Sequence, residues 1–294
     1  MAGSSATSWA ARHGELAKLA RRQLFFIGGA PRSGTTWLQH MLDAHPDISC
    51  RGEGLFQREL AVPLDRLVSA RRRAIEGKNA SISRDQAGYP LPDAEDADMM
   101  LGTAVLTALH RYAGGQAHVA IGETTPENVF LFPRLRRLFP GAKFLGVARD
   151  PRDVLASSWR MFGKVAPGQD ETAAKMALIE TSLPSLDSGL RAMLALARDR
   201  EACATVTYEA LHRDPATPLR GMLGLLGVAR DDATLEACIA RATFAGKAAR
   251  LPSGPGTYLH EGAIGGWRTT LSPAMNDMVM AALGWSFPSF GWKE

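Results

Sequence analysis

FFIGGAPRSGTTWL, residues Phe25–Leu38, is the stretch that decides the fold. An apolar run from Leu24 to Ile27 leads into Gly28-Gly29-Ala30-Pro31, and Arg32-Ser33-Gly34-Thr35-Thr36 then opens an amphipathic helix. Strand, glycine-bearing loop and helix N-terminus follow in direct succession. Such a turn offers free backbone N–H groups and the positive end of a helix dipole to an anion. Gly29 and Gly34 keep the outer glycine spacing of the phosphate-cradling pattern G-x-x-x-x-G-K-[ST], but Thr35 stands where the lysine belongs. The nearest cation, Arg32, lies inside the loop. The expectation is a phosphate-like ligand other than a nucleoside triphosphate, cradled by the N–H groups of Ser33–Thr36, the hydroxyls of Thr35 and Thr36, and the Arg32 guanidinium.

The flanking chain alternates short apolar runs with helical periodicity. Gln23–Gly29, Ile48–Cys50, His118–Gly122, Lys143–Ala148 and Ala204–Tyr208 read as strands. Gln23–Gly29 is apolar without alternation, as in a parallel strand covered on both faces. Helices are expected at Thr35–Ala44, Leu55–Gly77 (broken at Pro63), Ala97–Tyr112, Val129–Phe139, Asp153–Phe162, Lys175–Asp199 (interrupted at Pro184), Pro218–Leu226, Asp232–Ala242 and Ser272–Leu283. Glu123-Thr124-Thr125-Pro126 is expected to turn out of its strand. Lys78–Asp96 and Gly163–Ala173 read as loops, and Gly246–Gly266 as irregular. The fold class is α/β, one doubly wound domain with a central parallel sheet flanked by helices, preceded by residues 1–22 as a lead-in to a domain spanning 23–294.

Composition excludes several classes. With 46% hydrophobic and 22% charged residues the 294-residue chain is an ordinary globular one, and a formal charge of +4 in scattered arginine clusters does not indicate nucleic acid binding. Three cysteines, Cys50, Cys203 and Cys238, have no metal-like spacing and read as buried reduced thiols. Residues 1–20 contain no continuous apolar segment and no later run reaches transmembrane length, so a cytoplasmic enzyme is expected.

A second constellation is Arg149-Asp150-Pro151-Arg152-Asp153-Val154-Leu155-Ala156-Ser157. Arg149 ends a strand and Ser157 lies two turns along the next helix, a pairing suited to a second phosphate, although Arg-Asp at a strand end also suits a structural ion pair. PRSGTTWL with RDPRDVLASSW downstream resembles the sulfotransferases that use 3′-phosphoadenosine 5′-phosphosulfate (PAPS). LDAHPDISCRGEG is similar to the segment of tyrosylprotein sulfotransferases that delivers the catalytic glutamate. GETTPENV and VTYEAL resemble the region linking the two motifs and the strand after the substrate helices. The likeness covers most of Leu24–Gly227 and implies a P-loop-like fold.

That resemblance implies roles for single residues. Arg32 matches the cation that stabilises charge on the bridging oxygen, with Ser33, Gly34, Thr35 and Thr36 as the phosphate cradle and Trp37 as an adenine-stacking or core ring. Arg149 and Ser157 match the pair that holds the 3′-phosphate, with Tyr208 and Phe244 as weaker donor-pocket candidates. Glu53 matches the general base, and Glu123 competes for that role. Thr124 stands where glycosaminoglycan-modifying branches have a catalytic lysine. The Arg-Lys-Gly clamp of soluble members appears as His260-Glu261-Gly262, so Lys247, Arg250 or Arg268 is expected to remake it, while Gly262-Ala263-Ile264-Gly265-Gly266-Trp267 keeps the run that follows. The implied reaction is in-line transfer of a sulfuryl group from PAPS to an acceptor hydroxyl, less readily an amine, of a small molecule, lipid or saccharide, with no metal. Two other readings are an ATP-dependent phosphotransferase of P-loop type and a non-catalytic nucleotide-binding protein.

Overall fold

The computed structural model describes residues 8–82, 87–113, 115–166, 168, 170–242 and 263–293. Five strands, β1 (Gln23–Gly29), β2 (Ile48–Gly52), β3 (Ala120–Thr124), β4 (Lys143–Ala148) and β5 (Cys203–Thr207), form one sheet in the order β2-β3-β1-β4-β5. Every pairing is parallel: β1 lies between β3, with Ile27 beside Thr124, and β4, with Gly29 beside Val147. All five strands therefore end at one edge.

β1 is apolar throughout because both its faces are covered. Leu24 and Phe26 face one cluster, which draws on α4 (Ala94–Ala113), α5 (Asn128–Leu138), α7 (Glu171–Leu196) and α11 (Pro273–Leu283). Phe25 and Ile27 face the other, built with α2 (Thr35–Asp43), α9 (Ala216–Leu225) and α10 (Asp232–Ala242). The period-2 alternation of a strand thus appears as two apolar faces rather than as apolar and polar ones. Cys50, Cys203 and Cys238 are buried and free, as expected.

Several boundaries differ from the sequence reading. Helix α1 (Trp9–Leu19) is regular, with Leu16 and Leu19 buried. Pro63 does not break a helix: a π-helical segment, Phe56–Ala61, precedes it, and Pro63 sits in the first turn of α3 (Val62–Ala80), where its missing N–H costs nothing. Pro184 lies inside α7, which stays continuous because Ile179 before it and Leu186, Leu190 and Met193 after it are buried in one cluster. Glu123 and Thr124 belong to β3 rather than to the turn, and Tyr208 starts α8 (Tyr208–Arg213) rather than ending β5. The final irregular segment falls largely outside the described residues.

Phe26 is fully buried, its ring 6.2 Å from that of Phe139 and 6.1 Å from that of Phe144. Phe26→Ala should cost about 3–5 kcal/mol by transfer and cavity terms. Phe162→Ala, at a largely exposed position, should stay within about 0.5 kcal/mol of the parent. Urea denaturation followed by circular dichroism compares the two.

Candidate active site

The loop after β1 is built around two residues in the left-handed region, Arg32 (φ 67°) and Gly34 (φ 102°). Gly34 is required twice over, since a Cβ there would also lie 2.6 Å from the Tyr208 ring. As N-cap of α2 it has no side chain to satisfy the first amides, which leaves the helix end open to a ligand. The Ser33 amide is not among the open ones, because it donates to Ala30 O at 3.1 Å and closes the turn. The cradle is therefore narrower than Ser33–Thr36. Ser33 instead offers its hydroxyl, fully buried and without a hydrogen-bond partner among the described residues. Thr35 is buried, Thr36 is exposed, and Trp37 is half-buried with its ring 5.6 Å from that of Tyr208.

Arg149, at the end of β4, is buried. Its guanidinium donates to Arg32 O at 3.0 Å and to Ala263 O at 3.2 Å and lies 4.3 Å over the Tyr208 ring, while its Nε has no partner among the described residues. Among the described residues no carboxylate forms an ion pair with it. The structural ion pair is made instead by Arg152 and Asp150 at 2.9 Å, at the start of α6 (Pro151–Phe162). Arg32 Nε donates to Ser157 Oγ at 3.2 Å, so the loop cation and the hydroxyl expected at a second phosphate touch each other. Burial, and then the charges of Arg149 and Arg160, lower the Arg32 pKa. A cluster of guanidinium groups with no ion-paired carboxylate among the described residues suits an anion.

Arg160 was not singled out in the sequence. Its signal is its place one turn after Ser157 on α6, the spacing that puts two side chains on one helical face. Asp153 is a second such residue: its carboxylate accepts from Gly265 N at 2.7 Å and Trp267 N at 2.9 Å and ties the Gly-x-x-Gly-x-Trp run to α6. Of the expected clamp residues, Arg268 lies 4.6 Å over the Trp267 ring. Lys247, Arg250, Phe244 and residues 260–262 lie outside the described residues.

The two candidate bases differ sharply. Glu53 follows β2 directly and is exposed. In the strand order β2 is two positions from β1, about 10 Å across the edge at the usual strand spacing. Surrounding protein, reinforced by Glu127 and opposed by Arg58, raises its pKa. Glu123 is 2% exposed and fully engaged, accepting from Gly54 N at 2.7 Å, Thr125 Oγ1 at 2.5 Å and Asn128 Nδ2 at 2.6 Å. Burial raises its pKa, and these hydrogen bonds oppose the rise. An exposed carboxylate free to accept a proton stands beside a buried one whose oxygens are already occupied.

A helix-opening loop at the carboxyl edge of a parallel sheet, a second cation at the neighbouring strand end and an exposed acid across the edge make up the candidate site. The sulfotransferase family model matches residues 25–232, and the chain belongs to that family. It is 27% identical over 215 residues to a protein-tyrosine sulfotransferase of Drosophila melanogaster, covering 72% of this chain and 40% of that protein. It is 28% identical over 213 residues to protein-tyrosine sulfotransferase 2 of Gallus gallus, covering 72% and 53%. The chain thus spans about half the length, or less, of these relatives. Its fold is like that of a mouse sulfotransferase complexed with PAP (TM-score 0.59, 14% identity, 94% of this chain and 88% of that one). It is also like that of a retinol dehydratase in complex with retinol and PAP (TM-score 0.53, 16% identity, 95% and 87%).

Because Arg149 is buried with no ion-pair partner among the described residues, Arg149→Gln should leave the melting temperature of the ligand-free protein unchanged or higher. The same change should remove the rise in melting temperature that inorganic pyrophosphate produces in the parent. Thermal scans of both proteins with and without pyrophosphate test this. A parent unmoved by the anion would contradict the assignment.

Proposed function

We propose that the protein is a PAPS-dependent sulfotransferase acting on an acceptor hydroxyl, or less readily an amine, and releasing adenosine 3′,5′-bisphosphate. The observation that carries this reading is the buried Arg149, without an ion pair among the described residues and joined to the helix-opening loop through Arg32 O, which suits a donor with two separate anionic groups. The orphaned Ser33 hydroxyl and the open end of α2 fit the 5′-phosphosulfate, held by Arg32, Ser33, Gly34, Thr35 and Thr36. Arg149 and Ser157 would hold the 3′-phosphate, with Trp37 and Tyr208 beside the adenine. The donor supplies an activated sulfuryl group. Glu53 takes the acceptor proton as the acceptor oxygen forms its bond to sulfur, and Arg32 stabilises charge on the oxygen whose bond to sulfur breaks.

The acceptor we propose is a hydroxyl of a small molecule, lipid or saccharide met in the cytoplasm. Glu127 lies close enough to Glu53 to raise its pKa, and a second negative charge beside the base favours an uncharged alcohol over an anionic one. A tyrosyl hydroxyl of a protein is the second reading, supported by the likeness to protein-tyrosine sulfotransferases. A donor-dependent mass-shift screen of metabolite extracts beside a tyrosine-peptide library separates the two.

Calorimetric titration should show adenosine 3′,5′-bisphosphate binding without magnesium and more tightly than ATP; the opposite order would point to a phosphotransferase. Glu53→Gln should keep that binding while kcat falls about 100- to 10,000-fold. Unchanged turnover would remove Glu53 from the chemistry, and a parent that binds but never turns over would mark a non-catalytic protein. The base works deprotonated and its pKa is raised, so kcat/KM should climb with pH through a limb lying above the ordinary carboxylate range. That limb should vanish in Glu53→Gln.

A further inference from the structure

Glu123 is the last residue but one of β3, between the strand that carries the donor loop and the strand that leads into Glu53. Among the described residues no cation pairs with it. We propose that Glu123 is a positioning residue that fixes the Glu53 loop against the donor loop, a role that rests on the sulfotransferase reading of the site.

The contacts form a continuous path. Glu123 Oε1 accepts the Gly54 N–H at 2.7 Å, so the residue next to Glu53 is anchored directly. The same oxygen accepts from Thr125 Oγ1, which in turn accepts the Leu55 N–H at 3.1 Å. Glu123 Oε2 accepts from Asn128 Nδ2, and that nitrogen also donates to Ile27 O at 3.1 Å, two residues before Gly29 in β1. Gly29 N–H closes the circuit on Pro126 O at 2.9 Å. The space is filled as well, because a Cβ at Gly54 would lie 2.9 Å from Glu123 Oε1 and 2.8 Å from the Phe56 ring. One carboxylate therefore holds the amide beside the base with one oxygen and the strand of the donor loop, through Asn128, with the other.

Only a carboxylate fits. Both oxygens face donors, so an amide must turn its NH2 towards a donor. With its oxygen kept on Gly54 and Thr125, its NH2 meets Asn128, whose own Oδ1 is buried and unpartnered among the described residues. Turning Asn128 to present that oxygen satisfies the amide but breaks the bond to Ile27. The charge also has a cost. Because the folded pKa is raised, the group stabilises the fold fully only below the ordinary carboxylate range, and that contribution is lost as pH rises through the raised value. Three donors face its two oxygens, so the group is held in place for its hydrogen bonds.

The test compares the parent with Glu123→Gln, Glu123→Asp, Glu53→Gln and the Glu53→Gln/Glu123→Gln double variant. Amide hydrogen exchange at Gly54 and Leu55 should speed up about tenfold or more in Glu123→Gln, with Thr35–Leu38 unchanged. Glu123→Asp, which keeps the charge on a shorter arm, should fall between. Adenosine 3′,5′-bisphosphate affinity should stay within about threefold of the parent, and kcat should drop about 10- to 100-fold at near-constant acceptor KM. The double variant should be no slower than Glu53→Gln alone, because Glu123 acts through Glu53. Unchanged exchange at Gly54 and Leu55, additive losses in the double variant, or a collapse of nucleotide affinity would overturn the positioning role. A parent that fails to bind adenosine 3′,5′-bisphosphate would instead overturn the sulfotransferase reading and leave the exchange result standing.

Discussion

The parallel pairing of β1 with β3 on one side and β4 on the other is the constraint on which the rest of the structure depends. Parallel strands end at the same edge, so Gly29, Gly52, Thr124, Ala148 and Thr207 all release their loops to one side of the sheet. Each loop needs a return path over a face, and the helices that provide it bury Leu24 and Phe26 on one side and Phe25 and Ile27 on the other. The same burial that makes β1 the most apolar segment gathers the chemistry at its carboxyl end.

At that edge the charged groups of the candidate site are sorted by strand. Arg32 and Arg149, from the loops after β1 and β4, form the cationic half with Arg160, and Glu53 and Glu123, at the ends of β2 and β3, form the acidic half. Among the described residues the two halves do not neutralise each other through an ion pair. Separation keeps the guanidinium groups available to anions and the Glu53 carboxylate available to a proton. The arrangement costs stability at Arg149 and Glu123, which two extensive apolar clusters offset. Elsewhere opposite charges pair in the ordinary way: Arg134 meets Asp65 and Asp98, Arg136 meets Asp199, and Arg220 meets Asp232.

Much of this was legible along the chain. Continuous apolarity marked β1 and β4 to the residue, because a two-sided buried strand has no alternation to confuse with a helix. Gly34, Arg32, Arg149 and Ser157 were legible because each sits at a fixed offset from a strand end or helix start. Proline misled twice, at Pro63 and Pro184, because sequence shows the missing N–H but not the packing that carries a helix past it. The Ser33 amide was assigned to a ligand because an internal turn bond to Ala30 is invisible in the letters.

The sequence by itself determined the strand–loop–helix unit, the parallel α/β class and the residue types gathered at strand ends, since all of these follow from local periodicity and spacing. Only the tertiary structure told Glu53 from Glu123, leaving the first exposed and the second buried among three donors. The two carboxylates are 70 positions apart in sequence and share one hydrogen-bonded loop junction through Gly54. It also brought Arg160 beside Arg32 and Arg149 onto Arg32 O, because the order of strands in a sheet is set by long-range packing that no local pattern encodes.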